Sequence, residues 1–298
     1  MQLGVVLPQT ELGASPTAVR RYATEVERLG YGHVLAYDHV VGADRRVHDR
    51  WRANTYDVDS AFFEPFVVFS HIAAITTLDL VTAVIILPQR QTTLVAKQAA
   101  TLDVLSEGRL RLGVGIGWNA VEYEALGERF SLRARKFEEQ IELLRLLWSR
   151  PSVTFQGEFH RVVGAGINPL PLRRSIPLLV GGSAPVALRR AGRVADGWIP
   201  NVPVGDGLRQ AIDIVHEAAV EAGRDPASLS MYGRVTFRGD IAELIDAAHE
   251  WRELGATHLS VDTMGASLMT VDDHLAVLGE FLGAAGGLRP ESEQRQHS

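Results

Sequence analysis

The chain has 298 residues, 46% of them hydrophobic, no cysteine and a formal net charge of -6. Disulfides, thiol catalysis and cysteinyl metal ligation are therefore excluded, and a net-negative chain without a basic cluster argues against nucleic acid as the main partner. No apolar run approaches the roughly 20 residues needed to cross a bilayer, and no charged-then-apolar leader follows Met1. The expectation is a cytoplasmic protein with one large core and a small-molecule task.

Residues 2–8 (QLGVVLP) predict a first buried strand, and a Gly/Ser/Pro turn leads into a helix from about 16 to 29 whose apolar face is Val19, Tyr22, Ala23, Val26 and Leu29. Gly30 and Gly32 end that helix, and HVLAY at 33–37 is a second strand that stops at Asp38 and His39. Residues 40–60 are polar and aperiodic, and a connection of that length in a compact domain reads as a functional lid. Pro65 opens a helix that runs to 76.

The next stretch organises the rest. Apolar runs at 80–87 and 110–115 flank a segment, 92–106, with Leu94, Val95, Leu102 and Leu105 at helical spacing, which makes one βαβ unit. Strands that are apolar at nearly every residue are buried on both faces, as in parallel sheets covered by helices. The second strand ends in Gly113, Gly115 and Gly117, alternating with Val114 and Ile116, before Trp118 and Asn119. Glycine at every second position bares one face of the strand end for something flat or bulky; the alternative is a turn that only lets the chain bend.

Glu122 and Glu124, on a short helix after Trp118, read as solvated charges and not as an acid–base pair. Ser131 reads as the N-cap of an amphipathic helix that runs to Trp148. Residues 153–163 alternate around Gln156 and Gly157, the pattern of a surface hairpin covering one barrel edge. The fifth strand, 177–180, opens onto Gly181-Gly182-Ser183-Ala184-Pro185 and a helix to 193. Strands at 197–200, 228–237 and 258–262 then alternate with helices at 208–222, 240–254 and 271–282. A polar tail, 286–298, is set apart from a domain at 1–285 and reads as poorly ordered or as cover for a neighbouring subunit.

Eight strand–helix alternations select an α/β fold, a single (β/α)8 TIM barrel with a small hairpin insertion and a lid loop after strand 2. A Rossmann fold would want GxGxxG after the first strand, where this chain has LPQTELGAS. In a barrel the C-terminal strand ends build the active site, so Gln9, Asp38, His39, residues 83–87, 115–119 and 181–183, and Asn201 should converge on one mouth.

The 181–185 turn leads to a helix N-terminus, where backbone amides and the helix dipole suit an anion. An ordinary cap by Ser183 uses the same chemistry, and both readings stand. His39 at a strand end could donate or accept a proton near neutral pH, or be structural. Asp38 could bond a ligand hydroxyl or simply turn the backbone. His33 and His258 begin strands, on the face of a barrel that serves stability, and His48 lies in a loop. No histidine–acid cluster has metal-ligand spacing, and neither GxSxG nor a P-loop is present.

Four segments together resemble the bacterial luciferase-like (LLM) flavin and deazaflavin oxidoreductases, from Gln2 to about Leu282. They are YDH at 37–39; the TAV strand with Gln98 in a helix ending LSEGRLRLGVGIGW; EALG at 124–127 before the long helix ending near Trp148; and VGGSAPVALRRAGRVADGWIP at 180–200. The likeness is closest to the branch that uses coenzyme F420, a hydride-carrying deazaflavin.

The resemblance implies a ring in the barrel mouth against a third-strand bulge with a cis peptide at Ala83-Val84. It implies that Asp38 bonds the ring edge, that His39 is the catalytic proton donor, and that Ile116, Gly117 and Trp118 border the ring. Val180, Gly181, Gly182, Ser183 and Ala184 would hold the cofactor phosphate. It also implies a homodimer through barrel helices.

Two departures bear on substrate. Sugar-phosphate dehydrogenases of this branch have an acid where this chain has Trp118, and basic and hydroxyl residues where it has Asn201, Val202 and Pro203. Trp118 with Ile85, Ile86, Phe62 and Phe63 points to a flatter, less charged substrate. The leading expectation is F420-dependent hydride transfer with a small, largely apolar substrate. The alternative is an FMN-dependent monooxygenase fed by a separate flavin reductase, and a cofactor carrier without turnover ranks last.

Overall fold

The computed structural model describes residues 1–48, 56–286 and 288. The middle of the expected lid, 49–55, and the expected tail from 289 onward lie outside the described residues.

The chain begins with β1 (Gln2–Val6), a single helical turn α1 (Gln9–Leu12) and α2 (Pro16–Leu29). Ser15 caps α2 by accepting from the Ala18 amide, with Pro16 in the first turn, and Gly30 closes it in the left-handed conformation. β2 (His33–Ala36) follows, then α3 (Pro65–Ala73), capped by Glu64, and β3 (Asp79–Thr82) and β4 (Ile85–Ile86). Next come α4 (Thr92–Leu105), β5 (Leu110–Gly115), α5 (Ala120–Ala125) and α6 (Arg133–Ser149).

β6 (Val153–Gln156) and β7 (Arg161–Ala165) pair antiparallel as the expected hairpin. The chain then alternates through β8 (Leu178–Gly182), α7 (Pro185–Val194), β9 (Gly197–Pro200), α8 (Asp206–Glu221), β10 (Ser230–Thr236), α9 (Ile241–Glu253), β11 (His258–Asp262) and α10 (Val271–Ala284). α10 starts with a reciprocal capping box between Thr270 and Asp273.

The strands lie in the order β3-β2-β1-β11-β10-β9-β8-β5-β4, and β3 also pairs with β5. β3 and β4 are two halves of the predicted third strand, so the sheet closes into an eight-stranded parallel barrel. Side chains alternate as a strand requires. Val6, Leu35, Val81, Leu179 and Tyr232 meet inside with Tyr37, Ala83 and Ile199, whereas their neighbours Val5, Val34, Leu80, Leu178 and Val180 join the larger core under the helices.

The N-terminal end of the barrel is plugged by polar rings. His33 Nε2 lies 2.8 Å from Ser260 Oγ, and His258 stacks on Tyr232 with ring centroids 4.0 Å apart. Burial pushes His33 down to about 3 and His258 down to about 4, so both are neutral at physiological pH.

Two local expectations are corrected. Ser131 is not a cap: it sits in a 3-10 turn, Phe130–Leu132, and α6 starts at Arg133 without a side-chain cap. The segment after β1 is not simply a turn but includes α1, because Gln9 is buried and clamps two neighbours, donating to the Tyr37 carbonyl at 3.0 Å and accepting from the Phe63 amide at 2.9 Å.

Candidate active site

Since the barrel strands are parallel, His39 after β2, the break between β3 and β4, residues 116–119 after β5, and Gly182 at the end of β8 all open at the same, C-terminal end. The strand ends named from sequence therefore lie at one end of the barrel.

The floor of the mouth is made by the interruption of the third strand. The Ala83-Val84 peptide is cis, and the break turns Val84 inward between two glycines. A Cβ on Gly115 would stand 2.5 Å from Val84 Cγ2, and one on Gly181 2.7 Å from Val84 Cγ1. The bare face that alternating glycines create is therefore filled by the Val84 side chain, which with Ala83 stays half-buried. Gly117 has φ 63°, a left-handed value, and a Cβ there would stand 2.7 Å from Ile86 Cγ2. Ile86 thus packs behind the 116–118 segment. Ile85, expected to face a substrate, points the other way and is fully buried in the core under the helices.

Asp38 is buried beside this floor. Its carboxylate accepts from the Ile86 amide at 3.1 Å and from Arg90 Nη2 at 2.7 Å, while Arg90 Nη1 reaches Glu64 at 2.8 Å. Burial pushes the Asp38 carboxyl up, and the Arg90 guanidinium partly offsets this. Gln140 steadies the turn that carries Arg90 by donating to the Leu87 carbonyl at 3.0 Å. Asp38 thus holds the strand break in place from one side, with its oxygens committed to protein donors.

His39 stands in an aromatic box. Tyr56 stacks on it with centroids 3.5 Å apart, Phe62 meets it edge-on at 4.8 Å, and Trp118 meets Tyr56 edge-on at 5.7 Å. Trp118 is 39% exposed and forms the open rim. The reading of Glu122 as a solvated charge is overturned. It is 1% exposed, whereas Glu124 is exposed as expected.

Glu122 is buried because α5 points it under the chain that follows β2. It accepts from the amides of Val40 at 2.5 Å and Val41 at 3.1 Å. Asn119 starts α5 by accepting from the Glu122 amide and donates to the Tyr56 hydroxyl at 2.9 Å. Burial alone would raise the Glu122 carboxyl, but His39 and the amides of Val41 and Val40 outweigh it and hold the group below its ordinary value. Glu122 is ionised at neutral pH.

Across the mouth, Gly181 and Gly182 end β8 and lead to α7. The capping reading of Ser183 does not hold: Ser183 is exposed, and the N-cap is Ala184, with no side-chain hydrogen bond to the helix amides. Pro185 occupies the first helical turn as expected. A Cβ on Gly182 would stand 2.9 Å from Ala187 Cβ, so the strand end passes close over the helix start. Val180 turns its side chain to the outer core and offers the mouth only its main chain. The first turn of α7 is left with amides that no side chain caps, the property that suits an anion.

The wall between these two sides is Tyr37, Asp262 and Arg234. The Tyr37 hydroxyl donates to Asp262 at 2.7 Å and accepts from Arg234 at 2.5 Å. Arg234 therefore faces the mouth already partnered. Among the described residues no group of three or more His, Asp and Glu is arranged to hold a metal.

The family model described as luciferase-like monooxygenase matches residues 1–292. The chain is 35% identical over 158 residues to an FMNH(2)-dependent dimethylsulfone monooxygenase of Pseudomonas fluorescens, 51% of this chain and 43% of that protein. It is 31% identical over 173 residues to an F420-dependent glucose-6-phosphate dehydrogenase of Nocardia farcinica, 55% of this chain and 51% of that protein. In three dimensions it matches an F420-dependent secondary alcohol dehydrogenase in complex with an F420-acetone adduct at a TM-score of 0.79 and 19% identity, covering 95% of this chain and 98% of that one. At that identity the likeness speaks for the fold.

Proposed function

The chain belongs to the luciferase-like monooxygenase family, and from that premise we propose that it is an oxidoreductase using coenzyme F420 to move hydride to or from a small, largely apolar organic substrate. The observation that carries this reading is the meeting of His39, the Val84 floor and the uncapped start of α7 at one barrel mouth.

A planar heterocycle with an anionic tail fits these residues. Val84 closes the trough between Gly115 and Gly181 into an apolar shelf beside Ala83, and the first turn of α7 has amides to give to a phosphate. Bound there, the deazaflavin would supply the hydride chemistry.

The protein's own residues do the remainder. Ile116, Gly117 and Trp118 border the shelf, and Asp38 fixes it through Ile86 and Arg90. Gly181, Gly182, Ser183, Ala184 and the Val180 main chain form the anion end. His39 holds a proton for the substrate at its ring nitrogen. Tyr56, Phe62 and Trp118 exclude water and favour an uncharged, flat substrate. Arg234, the cation in this wall, already has Tyr37 and Asp262 as partners, and Asn201, Val202 and Pro203, which share a cavity with Arg234 and Arg238, add no charge.

The FMN reading, with a separate reductase as partner, draws on the sulfone monooxygenase likeness. The same proposal has the protein act in the cytoplasm as a homodimer through barrel helices. No helix among the described residues is long and apolar enough to cross a membrane.

Titration with F420 and with FMN, followed by fluorescence and difference absorbance, tests the proposal. Saturable binding of F420 tighter than that of FMN supports it; tighter FMN binding with oxygen consumption would replace it with the monooxygenase.

A further inference from the structure

We propose that Glu122 is a positioning residue for His39: its buried carboxylate holds the imidazole with Nδ1 protonated and turned inward, so that Nε2 is the nitrogen offered to the mouth. The use of that nitrogen in catalysis rests on the function proposed above; the orientation itself does not.

His39 Nδ1 is buried without a hydrogen-bond partner, while the side chain as a whole keeps 19% of its surface, so the accessible edge is the other one. The group facing Nδ1 is Glu122 Oε2, 4.0 Å away, beyond hydrogen-bond reach but within ion-pair range. A buried polar nitrogen with an ionised carboxylate before it is stabilised when it carries the proton.

Among the described residues Glu122 is the ionised group that faces this nitrogen. Its Oε1 takes the Val40 and Val41 amides, and its Oε2 takes Gln89 Nε2 at 3.3 Å and the Tyr56 hydroxyl at 3.4 Å. All four donate to the carboxylate and orient it; the Tyr56 oxygen is already taken by Asn119 Nδ2 at 2.9 Å, and the Gln89 amide turns its nitrogen, not its oxygen, to Glu122. Burial and the Glu122 charge push the Tyr56 hydroxyl well above its ordinary value, so it stays protonated and donating. The other charged group beside His39, Asp38, is taken up by Arg90 and the Ile86 amide. Phe62 contributes only an apolar edge.

Two things follow for the proton. When the imidazolium gives up its proton at Nε2, the neutral ring left behind is the Nδ1–H tautomer, which Glu122 favours. Because the same carboxylate binds the two amides after His39, it sets the height of the ring in the mouth as well as its tautomer. A base oriented by a third group is a general way to prepare one nitrogen for proton transfer.

The test uses the full-length protein without added cofactor, labelled with 15N in histidine, and reads the two ring nitrogens of His39 in long-range proton–nitrogen spectra, assigned with His39→Asn. Spectra are taken at rising pH until the ring is neutral, and the expected result there is Nδ1 protonated and Nε2 bare. In Glu122→Gln the amide oxygen still serves Val40 and Val41, so the NH2 turns toward Nδ1, and the ring should move to the Nε2–H tautomer. Wild-type protein with Nε2–H, or the same tautomer in both proteins, overturns the proposal. Should Glu122→Gln fail to fold, the wild-type spectrum decides, and Tyr56→Phe, which keeps the carboxylate, should keep Nδ1–H.

With cofactor and substrate supplied, Glu122→Gln should lower kcat about 10- to 100-fold and lower it no further in a His39→Asn background. An undiminished additional loss in that background would mean that Glu122 does not act through His39. Failure of cofactor binding would strike the proposed function and leave the tautomer result standing.

Discussion

Arg90 Nη2 lies 2.7 Å from the Asp38 carboxylate, with Glu64 holding the other arm of the guanidinium and the Ile86 amide the other oxygen of the acid. The arrangement ties β2 to the far side of the strand break, so the floor of the mouth depends on a buried ion pair. Removing one partner leaves the other charged and desolvated. Arg90→Met should cost about 3–5 kcal/mol in urea unfolding. Asp38→Asn combined with Arg90→Met should recover part of the loss, and equal losses in the single and double variants would show that the pair does not carry the effect.

Val84 makes a second prediction. Gly181→Ala places a methyl group 2.7 Å from Val84 Cγ1, and a second glycine position, Gly115, already meets Val84 Cγ2 from the other side. Overpacking of this kind costs roughly 1–3 kcal/mol. Adding Val84→Ala should restore most of the thermal midpoint. A Gly181→Ala protein with unchanged midpoint would contradict the packing described for the shelf.

The histidines at the opposite end govern acid stability. Buried His33 and half-buried His258 titrate at about 3 and about 4 in the folded chain, against about 6.5 when unfolded. Between pH 6.5 and 4 the unfolded chain binds protons at these two sites that the folded chain does not, so stability falls as pH is lowered. Each such proton contributes about 1.4 kcal/mol per pH unit. Urea midpoints measured from pH 7.5 to 4.5 should drop, and His33→Asn should make the drop shallower. An unchanged slope would show that His33 is not the group concerned.

Much of this was legible in the sequence because barrel strands buried on both faces read as unbroken apolar runs, as at 110–115 and 258–262. The break at Ala83-Val84 came only from the family resemblance: AVIIL carries no glycine, proline or polar residue to mark it. Ile85 was assigned to the wrong face for that reason, since an inserted bend reverses the alternation beyond it.

Glu122 was missed because its burial is decided by the Val40 and Val41 amides, distant in sequence, which no local pattern reports. The capped start of α5 at Asn119 was the available signal, since it puts a residue three positions on in the first turn under the loop. Ser131 and Ser183 failed as caps for the opposite reason. Each has the right chemistry, but the adjoining turn and Pro185 set the helix starts elsewhere.

If His39 supplies the proton, His39→Asn should keep cofactor affinity nearly unchanged and lower turnover about 10²–10⁴-fold. Fluorescence titration and steady-state rates on the same preparation separate the two quantities. A loss of about twofold or less would remove His39 from the chemistry.

The most direct measurement of the central claim is amide hydrogen exchange with and without F420. Protection is expected in three segments distant in sequence: after β2 around Asp38 and His39, at the Val84 shelf, and across the end of β8 into the first turn of α7. Exchange unchanged by F420, or slowed only at the N-terminal end around His33 and His258, would contradict a cofactor site at this mouth.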